Sequence, residues 1–331
     1  MSILKAVATA AGLLALSAIS STAQEAQPVR VGWLKASLST IIQAIAEDEN
    51  LYAANGLNAT ITAVSSGGNA TGIEALMRGD FDVYYGPMTE MARLNAVAVE
   101  QKAKPPLVAV ALGTPGATHL VLANDITFDS PESLRGKTIG VSSPGSVHLV
   151  MFRHFLEDKG LTTEGLKMNI VRIGGSDMVP ALLTKQIDGF LHSQPTPAIA
   201  VAKGAGKIAL APAQMGEAGE SPTSAIMVRR DWGADNPDIV RRVIATFMQA
   251  SDRYSQLPES KLIAIVEKAI GAEEDVVKGA IPYVNPRLMP DFEKASDLYW
   301  KTEMAAMKTR GEVLPDFKKE DMFDASYAAA R

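Results

Sequence analysis

The sequence predicts an α/β protein of two lobes, each a mostly parallel sheet flanked by helices, with two inter-lobe crossings. Three observations support this prediction. Short β-branched runs alternate with longer helical patterns, which is typical of parallel α/β units. The same order of elements occurs twice, and a long helical region follows the last predicted strand. The 331 residues suffice for one large domain or two ordinary ones.

The composition excludes several classes of protein. Apolar residues make up 47% of the chain and charged residues 21%, as in packed globular proteins. The net charge of −5 comes without a basic stripe, so no nucleic-acid partner is expected. The absence of cysteine excludes disulfides, thiolate metal sites and a cysteine nucleophile. With only four histidines, neither a metal centre nor a cofactor is expected.

The first 23 residues have the pattern of a secretory signal peptide. Lys5 precedes an apolar stretch over residues 6–20, and Ser21-Thr22-Ala23 gives small residues where a signal peptidase reads the chain. A membrane anchor is the alternative, but it needs about 20 apolar residues, more than this interrupted stretch contains. The sequence therefore predicts cleavage after Ala23 and an exported, periplasmic protein.

Two units of similar order follow. The first has predicted strands at 29–33, 57–64 and 81–85 and predicted helices at 40–54 and 72–78. The second has predicted strands at 137–141, 166–173 and 187–192 and predicted helices at 147–159 and 178–185. Ala75-Leu76 and Asp82 align without a gap on Ala181-Leu182 and Asp188. Two similar βαβαβ units are the natural interpretation of this repeat.

The segments between and after the units set the predicted lobe boundaries. Apolar runs at 107–112 and 118–123 and a loop at 211–222 surround the second unit, and a strand is predicted at 223–228. Helices are predicted at 237–257, 259–270, 273–281 and 290–308. We expect lobe I to comprise residues 24–114 and 223–331 and lobe II to comprise residues 115–222, with the C-terminal helices on lobe I.

Candidate binding residues lie after the predicted strands, because open α/β sheets bind ligands at the carboxyl ends of their strands. Two facing lobes would place these loops on opposite walls of one cleft. The lobe I candidates are Trp33, Lys35, Ser37, Ser66, Gly67, Gly86 and Met88. The lobe II candidates are Ser143, Ser146, His148, Asp177, His192 and Gln194.

The loop at 142–148 is the most informative of these segments. It joins a strand to a strong helix, where unpaired N–H groups and the helix dipole attract an anion such as a carboxylate or a sulfonate. In the alternative interpretation, Ser146 is only an N-cap.

The other candidates also have two interpretations. Asp177 is either the N-cap of the following helix or a ligand contact, and His192 is either a hydrogen-bond donor or a structural histidine. Lys35 either neutralises an anion or is solvated, and Trp33 either stacks on a ligand or packs in the core.

Catalytic signatures are not found. The serines near His148 lack a G-x-S-x-G elbow, and the sequence contains no G-x-x-x-x-G-K-[ST] phosphate loop. The sequence therefore favours a binding protein over an enzyme.

Five stretches together resemble a known family. They are Val-Arg-Val-Gly-Trp at 29–33, the glycine and aspartate pattern at 79–86, Leu-Arg-Gly-Lys-Thr-Ile-Gly-Val at 134–141, Gly-Ser-x-His at 145–148, and residues 177–189. In this order they resemble periplasmic substrate-binding proteins of ABC importers. The likeness is to the nitrate, sulfonate, taurine and bicarbonate group, which is related to proteins that bind thiamine-pyrimidine precursors.

The resemblance implies a type II periplasmic binding fold, a small-molecule solute, transient docking on an ABC permease and a monomer. It also implies that Ser37, Ser66, Gly67, Gly86, Ser143, Ser146 and Gln194 line the ligand site. Alkanesulfonate-type members often have a Trp-Asp-Pro-like turn where this chain has His192-Ser193-Gln194-Pro195, so the solute stays open. A pyrimidine-precursor binder or synthase-like enzyme on the same fold and a periplasmic sensor are the alternatives.

Overall fold

The computed structural model describes residues 25–35, 37–64 and 68–328 and places ten strands in two five-stranded sheets. The predicted signal peptide and its cleavage point lie outside the described residues. The strands are β1 (Gln27–Leu34), β2 (Leu57–Val64), β3 (Val83–Pro87), β4 (Leu107–Pro115), β5 (His119–Ala123), β6 (Thr138–Val141), β7 (Asn169–Arg172), β8 (Gly189–His192), β9 (Gly206–Leu210) and β10 (Pro222–Arg229).

The two sheets have equivalent strand orders, β2-β1-β3-β10-β4 and β7-β6-β8-β5-β9. In each sheet the first three strands are parallel, and one strand runs antiparallel to both of its neighbours. That antiparallel strand, β10 or β5, is the one that the chain forms after it crosses from the other sheet. The predicted fold of two mostly parallel sheets with two crossings is confirmed.

Helices cover both sheets. They are α1 (Ile42–Asp48), α2 (Leu51–Ala54), α3 (Gly68–Arg78), α4 (Thr89–Glu100), α5 (Val147–Glu157), α6 (Met178–Leu183), α7 (Thr196–Ala202), α8 (Glu217–Glu220), α9 (Arg230–Asp235), α10 (Pro237–Gln256), α11 (Glu259–Ile270), α12 (Glu274–Ala280), α13 (Phe292–Tyr299) and α14 (Ala305–Thr309). Among the described residues, no helix is both long and apolar enough to cross a membrane.

The repeated aspartates have the same structural role in both lobes. Asp82 precedes β3, and its carboxylate accepts a hydrogen bond of 2.9 Å from the backbone N–H of Arg30 in β1. Asp188 precedes β8 and accepts one of 2.8 Å from the backbone N–H of Thr138 in β6. Each aspartate therefore joins the start of the third strand of its unit to the first strand, as the aligned sequence repeat predicts.

Two predicted helices are interrupted in the structure. The prediction of one helix over 40–54 is wrong, because Asn50 adopts a left-handed conformation with φ of 54° and separates α1 from α2. Residues 290–308 form α13, a π-helical turn at Trp300–Met304 and α14 rather than one regular helix. The helices α4 and α7 and the short strand β9 were not predicted, and the loop expected at 211–222 contains α8.

The C-terminal helices contact both lobes. Helices α10 and α11 pack on α1 in the core of lobe I. Helix α12, however, packs on α7 of lobe II, and α14 packs on α5. The C-terminal region therefore bridges the lobes, whereas the sequence placed it on lobe I alone.

The two crossings run side by side between the lobes. The N–H of Gly116 in the first crossing donates to the carbonyl of Ser221 in the second over 3.1 Å. The hydroxyl of Thr223 donates to the carbonyl of Thr114 over 2.9 Å. The hydroxyl of Ser221 in turn donates to the carboxyl group of Glu303 in the π-helical turn.

Glu303 is a buried carboxyl group beside these crossings, with 1% of its surface exposed. One of its oxygens accepts hydrogen bonds from the hydroxyls of Ser221 and Thr302, and the other has no partner among the described residues. Burial raises the pKa of Glu303 to about 8, because an isolated carboxylate loses its hydration there. At neutral pH the group is therefore largely protonated.

Replacing this carboxyl group should change how stability depends on pH. The folded-state pKa of Glu303 lies above its ordinary value of 4.5, so between these values the folded protein keeps a proton that the unfolded chain has lost. The resulting stabilisation is complete below the unfolded pKa and is lost as the pH rises through the folded pKa. The free energy of unfolding of Glu303→Gln, measured with urea, should therefore fall less than that of the wild type between pH 5.5 and 8.5.

The matched control is Glu100→Gln at the exposed end of α4, which should follow the wild-type pH dependence. Identical pH dependence of stability in the wild type and Glu303→Gln would contradict a protonated Glu303.

Candidate functional site

The predicted binding loops of the two lobes face each other, and hydrogen bonds join them. The N–H of Leu38 in lobe I donates to the carbonyl of Gln194 in lobe II over 3.0 Å. The guanidinium of Arg93, on α4 of lobe I, donates to the carbonyl of Gly145 in lobe II over 2.7 Å. Ser37, Ser146, His148 and Gln194 are all buried. The lobes are therefore in contact across the cleft.

The wall of lobe II brings three predicted loops together around His192. The rings of His192 and His148 lie 5.1 Å apart, centre to centre. A Cβ atom on Gly175 would lie 3.0 Å from Nε2 of His192, so the loop after β7 passes directly beside this imidazole. The ends of β6, β7 and β8 therefore form one polar surface, as the sequence predicted from the strand ends.

The start of α5 agrees with both interpretations of the loop at 142–148, because it has an N-cap and also N–H groups that can bind an anion. The hydroxyl of Ser146 accepts a long hydrogen bond of 3.4 Å from the N–H of Leu149, which makes Ser146 an N-cap. The N–H of Ser146 donates to the carbonyl of Ser143 over 3.1 Å. The N–H groups of Val147 and His148, in the first helical turn, have no carbonyl within the helix to bond. They remain able to donate to an anion.

The wall of lobe I is a cluster of hydroxyl groups. Ser37 caps the short turn that precedes α1, and its hydroxyl accepts from the N–H of Ser39 over 3.2 Å. The carbonyl of Ser39 accepts a hydrogen bond of 2.6 Å from the hydroxyl of Thr114 and one of 3.4 Å from Tyr85. This network fixes the loop after β1 against the end of β4, close to the first crossing.

Gln194 is held rigidly at the junction of the two lobes, with 0% of its surface exposed. Its side-chain carbonyl accepts from the N–H of Ala198 over 3.1 Å, which orients the amide at the start of α7. The amide nitrogen Nε2 is buried and has no hydrogen-bond partner within the part of the chain that the structure describes. A buried donor without an acceptor destabilises the protein. A hydrogen bond from this donor to a ligand acceptor would therefore contribute more binding free energy than one from an exposed donor.

Other predicted candidates occupy different environments. Trp33 and Met88 are buried within the two hydrophobic clusters of lobe I, and Gly86 packs on the ring of Tyr84. Lys35 is partly exposed just after β1. Ser66 and Gly67 lie outside the described residues.

Asp177 does not have the capping role that the sequence offered as one interpretation. It occupies the N-cap position of α6, but its side chain makes no hydrogen bond to the N–H groups of that helix. The residue is exposed, and its carboxylate accepts a hydrogen bond of 3.4 Å from the neighbouring Ser176 hydroxyl. Its position in an exposed groove beside Arg172 and Thr184 follows from the tight turn at Gly175–Asp177.

Three residues of the cleft region were not predicted. His119 begins β5 opposite His192, and its Nδ1 lies 3.3 Å from the carbonyl of Ala117. Its Nε2 is buried and has no partner in residues 25–35, 37–64 and 68–328. The ring of Tyr283 meets that of His119 edge to face at 5.7 Å. Arg93, the third, lies on the unpredicted helix α4. Of these three residues, His119 alone had a signal in the sequence, namely its position beside the first crossing.

The imidazoles of this wall are neutral at physiological pH. Burial lowers the pKa of His119 to about 4 and the pKa of His148 well below its usual value. Repulsion between protonated rings, from His192 and from His119, lowers the pKa of His148 further. Burial also lowers the pKa of His192. The wall therefore offers neutral hydrogen-bonding groups and helix N–H groups. Among the described residues, no group of three or more metal-ligating side chains is placed to hold a metal ion.

The two sheets of equivalent strand order, joined by two crossings, define the two-lobed fold of periplasmic binding proteins. The chain belongs to the NMT1-like family, whose model matches residues 22–267. A candidate binding protein of Brucella abortus is 27% identical over 310 residues, which cover 92% of this chain and 92% of the relative.

Solved structures share the fold at low sequence identity. The periplasmic aliphatic sulphonate-binding protein SsuA from Escherichia coli superposes with a TM-score of 0.74 at 17% identity, over 89% of this chain and 91% of its own. The periplasmic nitrate-binding protein NrtA from Synechocystis gives a TM-score of 0.71 at 16% identity, over 92% and 87%. The fold and family predicted from the sequence motifs are thereby confirmed.

Ser146→Ala should reveal how much of the loop's role is structural. Loss of an N-cap costs about 0.5–2 kcal/mol, and the long bond to Leu149 favours the lower end. Urea unfolding should show that loss, whereas Ser143→Ala, whose hydroxyl caps no helix, should change stability by less than about 0.5 kcal/mol. Equal destabilisation by both substitutions would contradict the capping assignment.

Proposed function

We propose that this chain is the solute-binding component of an ABC importer, which captures a small anionic organic solute between its lobes. In this role residues 1–23 are a signal peptide, cleaved after Ala23, and the mature monomer acts in the periplasm. Residues 24–114 and 223–331 form lobe I, and residues 115–222 form lobe II. The loaded protein docks transiently on a permease of the inner membrane.

The observation that carries the proposal is the set of unpaired donors at the cleft. The N–H groups that open α5 and the buried amide of Gln194 all lack acceptors within their own elements. Val147 and His148 supply the N–H groups. A carboxylate or sulfonate oxygen matches these donors, and the helix dipole of α5 favours its negative charge. Similar proteins named for sulphonate and nitrate binding support an anionic solute of this kind.

The same geometry supports binding without catalysis. The neutral imidazoles of His148 and His192 lie beside the cleft, but no carboxylate accompanies them as it does in an acid–base pair. The serine hydroxyls of the loop serve as hydrogen-bonding groups toward the solute. The protein therefore stabilises a bound solute and returns it unchanged.

Native mass spectrometry of protein purified without refolding tests this function. A retained solute should appear as a small added mass, and its removal should lower the thermal unfolding temperature. Taurine, an alkanesulfonate, nitrate and bicarbonate, each added to the stripped protein, identify the chemical class by thermal stabilisation. A solute that is chemically altered on incubation would identify an enzyme instead.

Variants then locate the site with the solute so identified. Ser143→Ala and His192→Ala should each weaken binding about tenfold in titration calorimetry, which is 1.4 kcal/mol. Ser255→Ala, on an exposed position of α10, is the control and should bind like the wild type. Wild-type affinity in both cleft variants would place the solute elsewhere.

A further inference from the structure

Arg93 joins the two lobes from a helix that carries no predicted binding residue. Its side chain is 24% exposed and lies on α4, the helix that follows β3 in lobe I. Nη1 donates to the carbonyl of Gly145 over 2.7 Å, and Nη2 donates to a carboxylate oxygen of Glu312 over 2.7 Å. Glu90, one turn earlier on α4, lies 3.3 Å from Nη1. One guanidinium therefore contacts lobe II and the C-terminal segment at once.

Gly145 is shaped to receive this guanidinium. A Cβ atom at this position would lie 2.5–2.6 Å from the three terminal atoms of the Arg93 guanidinium, and no other atoms come as close. Gly145 does not have a positive φ, so its backbone conformation does not by itself require glycine. The close approach of Arg93 is the feature of this structure that excludes a side chain here.

The contact extends into a chain of ion pairs that reaches the far end of α5. The other oxygen of Glu312 accepts from Nε of Arg310 over 2.7 Å, and Arg310 lies 3.6 Å from Glu157, the last residue of α5. The carboxyl end of α5 is thus tied to the C-terminal segment. Arg93 acts at the opposite end of the same helix, where the candidate anion site lies.

The peptide that Arg93 holds is the one that precedes the helix. The carbonyl of Gly145 points to Arg93, and a trans peptide places the N–H of Ser146 on the opposite side, where it donates to the carbonyl of Ser143. This orientation fixes the tight turn and thereby the direction of the next N–H groups, those of Val147 and His148. These are the donors assigned to the solute.

We propose that Arg93 is a positioning residue that couples lobe closure to the solute site, by clamping the Gly145 carbonyl from the opposite lobe. The bond forms only when α4 and the loop at 142–148 approach each other. A bound solute that orders this loop therefore favours closure, and closure in turn orders the loop. The assignment of the loop as solute site rests on the proposed function, whereas the clamp is testable without any solute.

The absence of cysteine from the chain permits a direct measurement of lobe closure. Spin labels on Ala264→Cys of α11 and Thr127→Cys, which follows β5, lie on exposed positions of different lobes. Double electron–electron resonance gives the inter-lobe distance distribution of the full mature chain. We expect the fraction of molecules at the inter-lobe distance of the closed structure to be about fivefold or more lower in Arg93→Ala than in the wild type.

Gly145→Ala supplies the matched partner in a double-mutant cycle. Its methyl group displaces the guanidinium, so it should reduce the closed population as much as Arg93→Ala does. In the Arg93→Ala background the same methyl meets no guanidinium and should have no further effect. Arg78→Ala is the charge control. It removes the exposed ion pair between Arg78, the last residue of α3, and Asp80, and it should leave the inter-lobe distances unchanged.

Unchanged distances in Arg93→Ala, or additive effects of the two substitutions, would overturn the clamp. A general loss of stability would shift urea unfolding and broaden the distances in every variant, whereas loss of the clamp moves the distribution with little change in unfolding. The solute affinity is measured separately. A normal clamp in a protein whose solute binds elsewhere would refute the proposed site and leave the closure mechanism intact.

Discussion

The structure depends on the antiparallel strand that each sheet receives after a crossing of the chain. β10 lies between β3 and β4, so the sheet of lobe I is continuous only once residues 222–229 have returned from lobe II. β5 occupies the equivalent place in lobe II. Both crossings lead to an interior strand of a sheet, and they bond to each other through Gly116 and Ser221. The pairing of the two crossings accompanies this topology.

The polar groups between the lobes follow from the same arrangement. With both sets of strand ends directed at one cleft, loops that are far apart in sequence meet there. The buried carboxyl of Glu303 lies behind this meeting place and bonds to the second crossing, while Arg93 and Gln194 link the two walls. The C-terminal helices close the back of the molecule by packing on α5 and α7 of lobe II. The proposed binding and closure therefore both use the contacts that join the two walls.

The wall of lobe II combines neutral side chains with the start of a helix. The histidines of the lobe II wall are too buried to be charged, because burial lowers their pKa values. The guanidinium closest to the loop at 142–148 is engaged by Gly145 and Glu312. In the proposed site, the N–H groups at the start of α5 and the dipole of that helix therefore supply positive potential, and the direction of the N–H groups adds a geometric requirement.

The sequence alone determined the fold class, the duplicated units and most loops of the lobe II wall. Hydrophobic periodicity, the repeated aspartates and the rule that ligands meet strand ends are local signals, and the loops around Ser146 and His192 follow from them. Only the tertiary structure decided the rest. Arg93, His119 and Tyr283 reach the cleft through contacts between distant elements, and the π-helical turn buries Glu303 against a crossing. Such contacts depend on how the lobes pack, which no local pattern specifies.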